Sequence, residues 1–422
     1  MNLPPMEKET APARRVLDNG SVLLTQTTPG ALGVSFGLWV RSGTRHENPQ
    51  QAGISHLLEH MVFKGTDRRS AFELSRDMEA LGGSLDAFTT KEMTAYTLRV
   101  LPHQLEEALS ILAEMLERST HPVDQLALEK EVVVEEIFSS EDTPDDFVHE
   151  RFLEHLLPGH PLSRPILGSV ESVKAITREG LLARMRQVHR GENLVLTAAG
   201  AIGELQVEQI ARAFHFPEGE AEPAVDLQTP GPAPGLFSYP KDLSQLYLEI
   251  GIPTVGIDHP DRMALVLLSN LLGGGMSSRL FQRVREDEGL AYSIYSWAEF
   301  STDAGAIGTT LAASPEKSER ALAVISAEYE KLRRGELEQD EIEINRNQVL
   351  ASILLGLEGS MHQISRMARN EIYHQRFVSV EELMRKLYAV TRDDLVRLAE
   401  NYLVPSLQTV VGHGPALQLS FR

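Results

Sequence analysis

The chain repeats itself at an offset of about 214 residues, and this constrains its architecture more than any other feature. Ala175-Ile176-Thr177-Arg178-Glu179-Gly180-Leu181 matches Ala389-Val390-Thr391-Arg392-Asp393-Asp394-Leu395. The strand-like Asn193 to Gly200 has a counterpart in Leu407 to Gly412, and Pro102 with Ala108-Leu109 echoes Pro315 with Ala321-Leu322. A period this long makes each copy a domain rather than a stacking unit. The length of 422 residues likewise exceeds a usual single core. Between the copies, residues 216–236 contain Pro217, Pro223, Pro230, Pro232 and Pro234 and read as an extended linker. The expected domains are therefore residues 10–215 and 237–422. Each half alternates strand-like segments, such as Ser21 to Gln26 and Gly33 to Val40, with amphipathic helices such as Leu105 to Arg118. That mixture predicts an α+β fold of two homologous domains, each a mainly antiparallel sheet covered by helices.

Composition narrows the function classes. Hydrophobic residues make up 42% of the chain, enough for real cores, and the formal charge of −20 argues against nucleic acid or an anionic membrane as the main partner. The same charge favours basic peptides. With no cysteine there is no disulfide framework and no thiolate, so any metal must be held by His and carboxylate. Met1 to Glu9 has neither a basic n-region nor an apolar h-region, and no apolar run approaches the length of a membrane span, so the expected location is cytoplasmic.

The chemistry concentrates in His56-Leu57-Leu58-Glu59-His60, which reads as the inverted zinc-peptidase signature H-x-x-E-H. Two His four apart on a helix stand one turn above the other, so both rings can reach one cation about 2 Å away. Glu59 is then free to take a proton from water at the metal. Helical spacing puts Ile54, Leu57, Leu58, Met61 and Val62 on one stripe, with His56, Glu59 and His60 opposite. A core histidine pair fits this poorly, whereas a solvated polar helix face is an alternative to a metal site.

A catalytic zinc usually has three protein ligands and one open position. The candidate for the third lies in Glu129 to Ile137, where Leu126, Glu129, Val132, Val133, Glu136 and Ile137 share one helical stripe and Glu131 and Glu135 point elsewhere. A carboxylate turned toward a core needs a partner or a metal. Glu136 is therefore preferred to Glu135, the alternative for the segment being an acidic helix with solvated charges. Zinc is the expected ion, one per chain, although two imidazoles and one carboxylate also suit manganese or cobalt.

These motifs make the chain resemble the pitrilysin/insulinase-type zinc metallopeptidases, in particular the short bacterial members related to the mitochondrial processing peptidase β subunit. In that family the first motif is followed some 75 residues later by E-R-x-x-V-x-x-E, whose last Glu is the third zinc ligand. Here Glu129, Val133 and Glu136 fit, with Lys130 in place of the Arg. The resemblance implies that His56, His60 and Glu136 bind zinc, that Glu59 is the general base and that Glu129 supports the site. The second half does not bind metal, because His56-Leu57-Leu58-Glu59-His60 aligns with Asn270-Leu271-Leu272-Gly273-Gly274. The Gly273 to Gly275 run lacks a following Lys-Ser/Thr and reads as a helix terminus or close packing rather than a phosphate loop.

Gly82 to Thr89, followed by Met93 to Leu98, reads as two strands joined by a polar turn. It is either an ordinary internal hairpin or an edge to which an extended peptide adds as a strand. The resemblance implies the second, with Ala87 and Phe88 binding substrate and with Asp86 standing where the family has Asn. It also implies that Arg285 and Tyr292 hold substrate carbonyls; from the residues alone, a charged helix with a Gly-ended turn serves equally. The activity so implied is a zinc-dependent endopeptidase acting on peptides or unfolded polypeptides in an enclosed chamber. Its chamber would be built by a homodimer, or by a heterodimer with an inactive paralogue. The rivals are a non-catalytic partner subunit and a peptide-binding or assembly protein with a structural metal.

Overall fold

The computed structural model describes residues 9–222, 229–416 and 421. Within them the chain forms two compact units, each an α+β layer built on a mainly antiparallel sheet. In the first unit the strands are β1 (Ala13–Val16), β2 (Val22–Thr27), β3 (Val34–Val40), β4 (Ser84–Thr89), β5 (Thr94–Val100) and β6 (Leu194–Gly200), ordered β1-β2-β6-β3-β5-β4. In the second they are β7 (Gly235–Pro240), β8 (Leu246–Thr254), β9 (Ala291–Phe300), β10 (Gly305–Ala313) and β11 (Thr409–Gly414), ordered β7-β11-β8-β10-β9. Setting aside β1, the two sheets have the same order, with a single parallel pair in the same place: β2 with β6, and β7 with β11. The internal repeat is thus a repeat of topology.

The compact units are not contiguous in sequence. Residues 139–164 belong with the second unit and 356–379 with the first, so the sequence division at 216–236 does not describe this exchange. The helix Ser360–Arg369 lays Ile364, Met367 and Ala368 on Trp39, Ala95, Val195 and Ala199 of the first sheet. Arg14 grips Glu371 through two 3.0 Å hydrogen bonds and ties the same segment down. In the second unit, Val148 and Phe152 of the helix Pro144–Leu156 pack with Ala304, Ala306 and Val411. The two exchanged helices lie near the repeat offset from one another, so the exchange obeys the duplication.

The opposite face of the first sheet is covered by α1 (Ile54–Met61), α2 (Ala71–Ala80), α3 (Leu105–Arg118) and α4 (Val123–Asp142), whose apolar faces join one continuous core. Part of the expected linker, residues 223–228, lies outside the described residues. Its beginning is pinned to the first unit, where Gly191 N donates to Pro217 O at 3.0 Å and Arg184 pairs with Glu222.

In the second unit the helix Arg262–Gly273 stands where α1 stands in the first. Its Asn270, aligned with His56, donates to Asn345 Oδ1 at 2.8 Å and Gln348 Oε1 at 3.1 Å. An amide therefore occupies the position that carries the His56 imidazole in the first half, while Glu59 and His60 answer to Gly273 and Gly274. Gly273 ends this helix against β9, where a Cβ would come within 2.4 Å of Ser296 N, so this glycine serves close packing.

Candidate metal centre

The helix α1 has only eight residues, too short to be stable by propensity, so its ends and its buried face define it. Gly53 precedes it at φ +90, and a Cβ there would approach Leu167 O within 2.5 Å, two reasons for glycine at this entry. The buried Glu47 carboxylate accepts hydrogen bonds from Gly53 N (2.9 Å) and Ser55 N (2.8 Å), satisfying amides that a helix start leaves without partners. Ile54, Leu57, Leu58, Met61 and Val62 enter the core, as the periodicity predicts. The opposite face is not solvated, however. Glu59 is only 8% exposed, and His56 and His60 are half-buried.

On that face His56, His60 and Glu136 each offer a ligand atom, all within 4.8 Å of one another. It is the one such cluster among the described residues. His56 Nε2 lies 3.7 Å from Glu136 Oε2, and His60 Nε2 lies 3.9 Å from Glu136 Oε1, with the ring centroids 4.5 Å apart. Donors about 2.1 Å from a tetrahedral ion are roughly 3.4 Å from one another, so small side-chain adjustments would let these three residues hold a zinc-sized cation. Burial, aided by the neighbouring His60, pushes the His56 imidazole down to about 4, which leaves it neutral and able to ligate. Its Nδ1 is buried with no hydrogen-bond partner, while Nε2 faces the cluster.

Glu136 comes from α4, and the structure corrects the expected stripe there. Val132 is exposed and Val134 buried, so the inward face is Leu126, Glu129, Val133, Val134 and Ile137. The stripe is rotated toward Val134. Glu136 consequently sits on its margin, with its side chain 41% exposed, beside the imidazoles and open to solvent. Glu135 and Glu131 are exposed, as expected. Nearer the start of the same helix, the buried Glu129 accepts from His60 Nδ1 at 3.0 Å and from Lys64 Nζ at 2.6 Å.

Glu59 is held from the sheet. Thr89 Oγ1, at the end of β4, donates to Glu59 Oε2 at 2.6 Å. Burial raises the affinity of this carboxylate for a proton, against the Thr89 hydrogen bond and the nearby His60, while Glu136 adds to the rise. A group so placed can both accept and return a proton.

The strand β4 is an edge, paired with β5 and with no strand on its other side among the described residues. Alternation puts Leu85, Ala87 and Thr89 toward the face that carries Glu59, and Ser84, Asp86 and Phe88 on the other. The Phe88 ring instead makes an edge contact with Trp39, centroids 5.8 Å apart. Arg285 and Tyr292 are brought together in the second unit, the Arg285 guanidinium lying 5.6 Å from the Tyr292 ring centre and 4.7 Å from that of Phe281. Tyr292 is 77% exposed. Thr89, Lys64 and Glu47 were not singled out by the sequence, although Lys64 lies four residues beyond His60 and so continues the motif's own spacing.

The chain is similar to known proteins over nearly its whole length. The profile described as insulinase (peptidase family M16) matches residues 22–170, and that described as peptidase M16 inactive domain matches residues 175–349. An uncharacterized zinc protease of Bacillus subtilis is 33% identical over 386 residues, covering 92% of this chain and 94% of its own length. Another from Mycobacterium tuberculosis is 34% identical over 399 residues, with 93% and 91% covered. Among solved structures, a protease from Helicobacter pylori superposes with a TM-score of 0.88 at 22% identity, covering 96% of this chain and 99% of that one. A Pseudomonas fluorescens structure described as a peptidase M16 inactive domain gives the same TM-score at 21% identity, with 97% and 99% covered. A chain that carries the inverted motif in its first half and matches zinc-protease relatives over nearly its full length belongs to the insulinase (peptidase M16) family.

Proposed function

We propose that this chain is a zinc-dependent endopeptidase that hydrolyses peptides or unfolded polypeptides. The observation that carries the reading is the His56, His60 and Glu136 cluster with the buried Glu59 carboxylate on the same helix face. His56, His60 and Glu136 would hold one divalent ion. When bound, such an ion polarises the scissile carbonyl and acidifies a water molecule. Glu59 takes the proton of the attacking water and returns it to the leaving amine. Thr89 holds one oxygen of Glu59, which leaves the other to carry that proton. Glu129 orients the His60 ring through Nδ1. An extended substrate adds along the open edge of β4, through main-chain hydrogen bonds that include those of Ala87. Arg285 and Tyr292 supply donors to substrate carbonyls, and the working particle is a dimer that encloses its substrate.

The test is cleavage of a mixed peptide library by the full chain with and without a chelator, read by mass spectrometry. Internal cleavage that disappears with chelator and returns with zinc supports the reading. Protein loaded with zinc that leaves every peptide intact would overturn it in favour of a non-catalytic member.

A further inference from the structure

His56, His60 and Lys64 recur at intervals of four along the chain. The backbone keeps turning after α1, with Phe63 N donating to His60 O and Lys64 N donating to Met61 O, both at 3.2 Å. Ser119 Oγ closes the turn by donating to Met61 O at 3.2 Å. Lys64 therefore stands one turn beyond His60 on the same side, and Glu129 spans the two from α4. Its Oε1 lies 2.6 Å from Lys64 Nζ and its Oε2 lies 3.0 Å from His60 Nδ1.

We infer that Lys64 is a positioning residue that fixes the tautomer and ring orientation of His60 through Glu129. What the His60 ring then binds rests on the proposed function; the tautomer itself does not. An ammonium is a donor without acceptor capacity, so Lys64 commits Oε1 and sets the plane of the carboxylate. The other oxygen is then left to accept from His60 Nδ1–H. With its proton on Nδ1, the ring turns an unprotonated Nε2 toward Glu136, 3.9 Å away. His56 has no equivalent support, because its Nδ1 is buried without a partner. Within the cluster, tautomer control by a carboxylate is confined to His60. Replacing Lys64 by an apolar residue leaves a buried carboxylate without its cation, free to rotate or to take in water, and removes the bias on the ring.

The experiment uses the full chain labelled with ¹⁵N-histidine and free of metal at about pH 8, above the ordinary imidazole range. The His60 resonances are assigned by their absence in His60→Gln. Long-range ¹⁵N–¹H correlations should show the Nδ1–H form of His60 in the wild type and in Lys64→Arg, and a mixture of tautomers in Lys64→Met. Zinc affinity, measured by competition with a chelating dye, should fall about 10- to 100-fold in Lys64→Met and be largely restored by Lys64→Arg. Lys64→Ala, which likewise lacks a donor, serves for both measurements if Lys64→Met does not fold. A wild-type tautomer together with a zinc affinity within about twofold of wild type in the apolar variant overturns the inference, since an orienting partner is worth more than that. Wild-type protein that shows the Nδ1–H form but binds no zinc would defeat the metal reading while leaving the role of Lys64 intact.

Discussion

Thr89 Oγ1 donates to Glu59 Oε2 across 2.6 Å, joining the last residue of the edge strand β4 to the carboxylate beside His60. The residue that ends the proposed substrate edge thereby also orients the proposed base. A hydrogen bond to a carboxylate is worth about 1.5–3 kcal/mol, so losing this one should lower the rate roughly tenfold or more. Thr89→Val keeps the shape and the strand preference and removes only the hydroxyl. Its expected signature in steady-state kinetics is a reduced kcat with little change in KM, and Thr89→Ser should restore most of the loss. Equal turnover by Thr89→Val and wild type would show that Glu59 needs no such support.

Glu59→Gln removes the proton acceptor while keeping the size of a side chain that is 8% exposed. Because Glu59 lies outside the His56, His60 and Glu136 cluster, metal content should survive and hydrolysis should fall by at least about 10²-fold, the lower range for a general base. Metal analysis and peptide turnover on the same preparation check both halves. Near wild-type turnover would remove Glu59 from the mechanism.

Glu136 and Glu135 are chain neighbours with opposite surroundings, the first against both imidazoles and the second in solvent. Glu136→Gln should lose bound zinc, while Glu135→Gln should retain it. Metal content of the purified variants decides the matter, and equal occupancy in both would mean that Glu136 is not a ligand.

Within each helix the His56, His60 and Glu136 cluster was legible as spacing, whereas the link between the two helices came from the family resemblance. His56 and His60 differ by one helical turn, and Glu129 and Glu136 by two, so each pair shares a face whatever surrounds it. The duplication was legible for a similar reason, and the strand order that the two sheets share, β1 aside, is its structural form. Which arc of α4 turns inward was read less well, because Val132 and Val134 are equally apolar and only packing decides between them. The partners of Glu59 and Glu129 were not visible either. Thr89 lies 30 residues from Glu59, and alternation along a strand gives a face without naming what faces it. The exchange of residues 139–164 and 356–379 leaves no local mark, since an amphipathic helix looks the same whichever sheet receives it.

Acid stability should be governed in part by two histidines outside the His56, His60 and Glu136 cluster. His189 is buried between Tyr96 and Phe216, its Nδ1–H donating to Leu116 O at 3.1 Å, and His121 is fully buried against Met185. Burial pushes both imidazoles down to about 4 from an ordinary 6.5, with Arg184 adding to the effect at His189 and with His189 and Arg178 adding to it at His121. Between those values the unfolded chain binds protons that the folded chain refuses, so stability falls as pH drops from 6.5 toward 4 and these groups contribute no slope above 6.5. Each contributes about 1.4 kcal/mol of loss per pH unit within that window. His189→Gln keeps an amide donor for Leu116 O but cannot titrate. It should melt at a lower temperature than wild type near neutral pH, because a fitted ring is lost, and should lose less stability than wild type on going to about pH 5. Carboxylates common to both proteins cancel in that comparison. Parallel melting curves across the whole range would show that His189 takes up its proton in the folded state as readily as in the unfolded one.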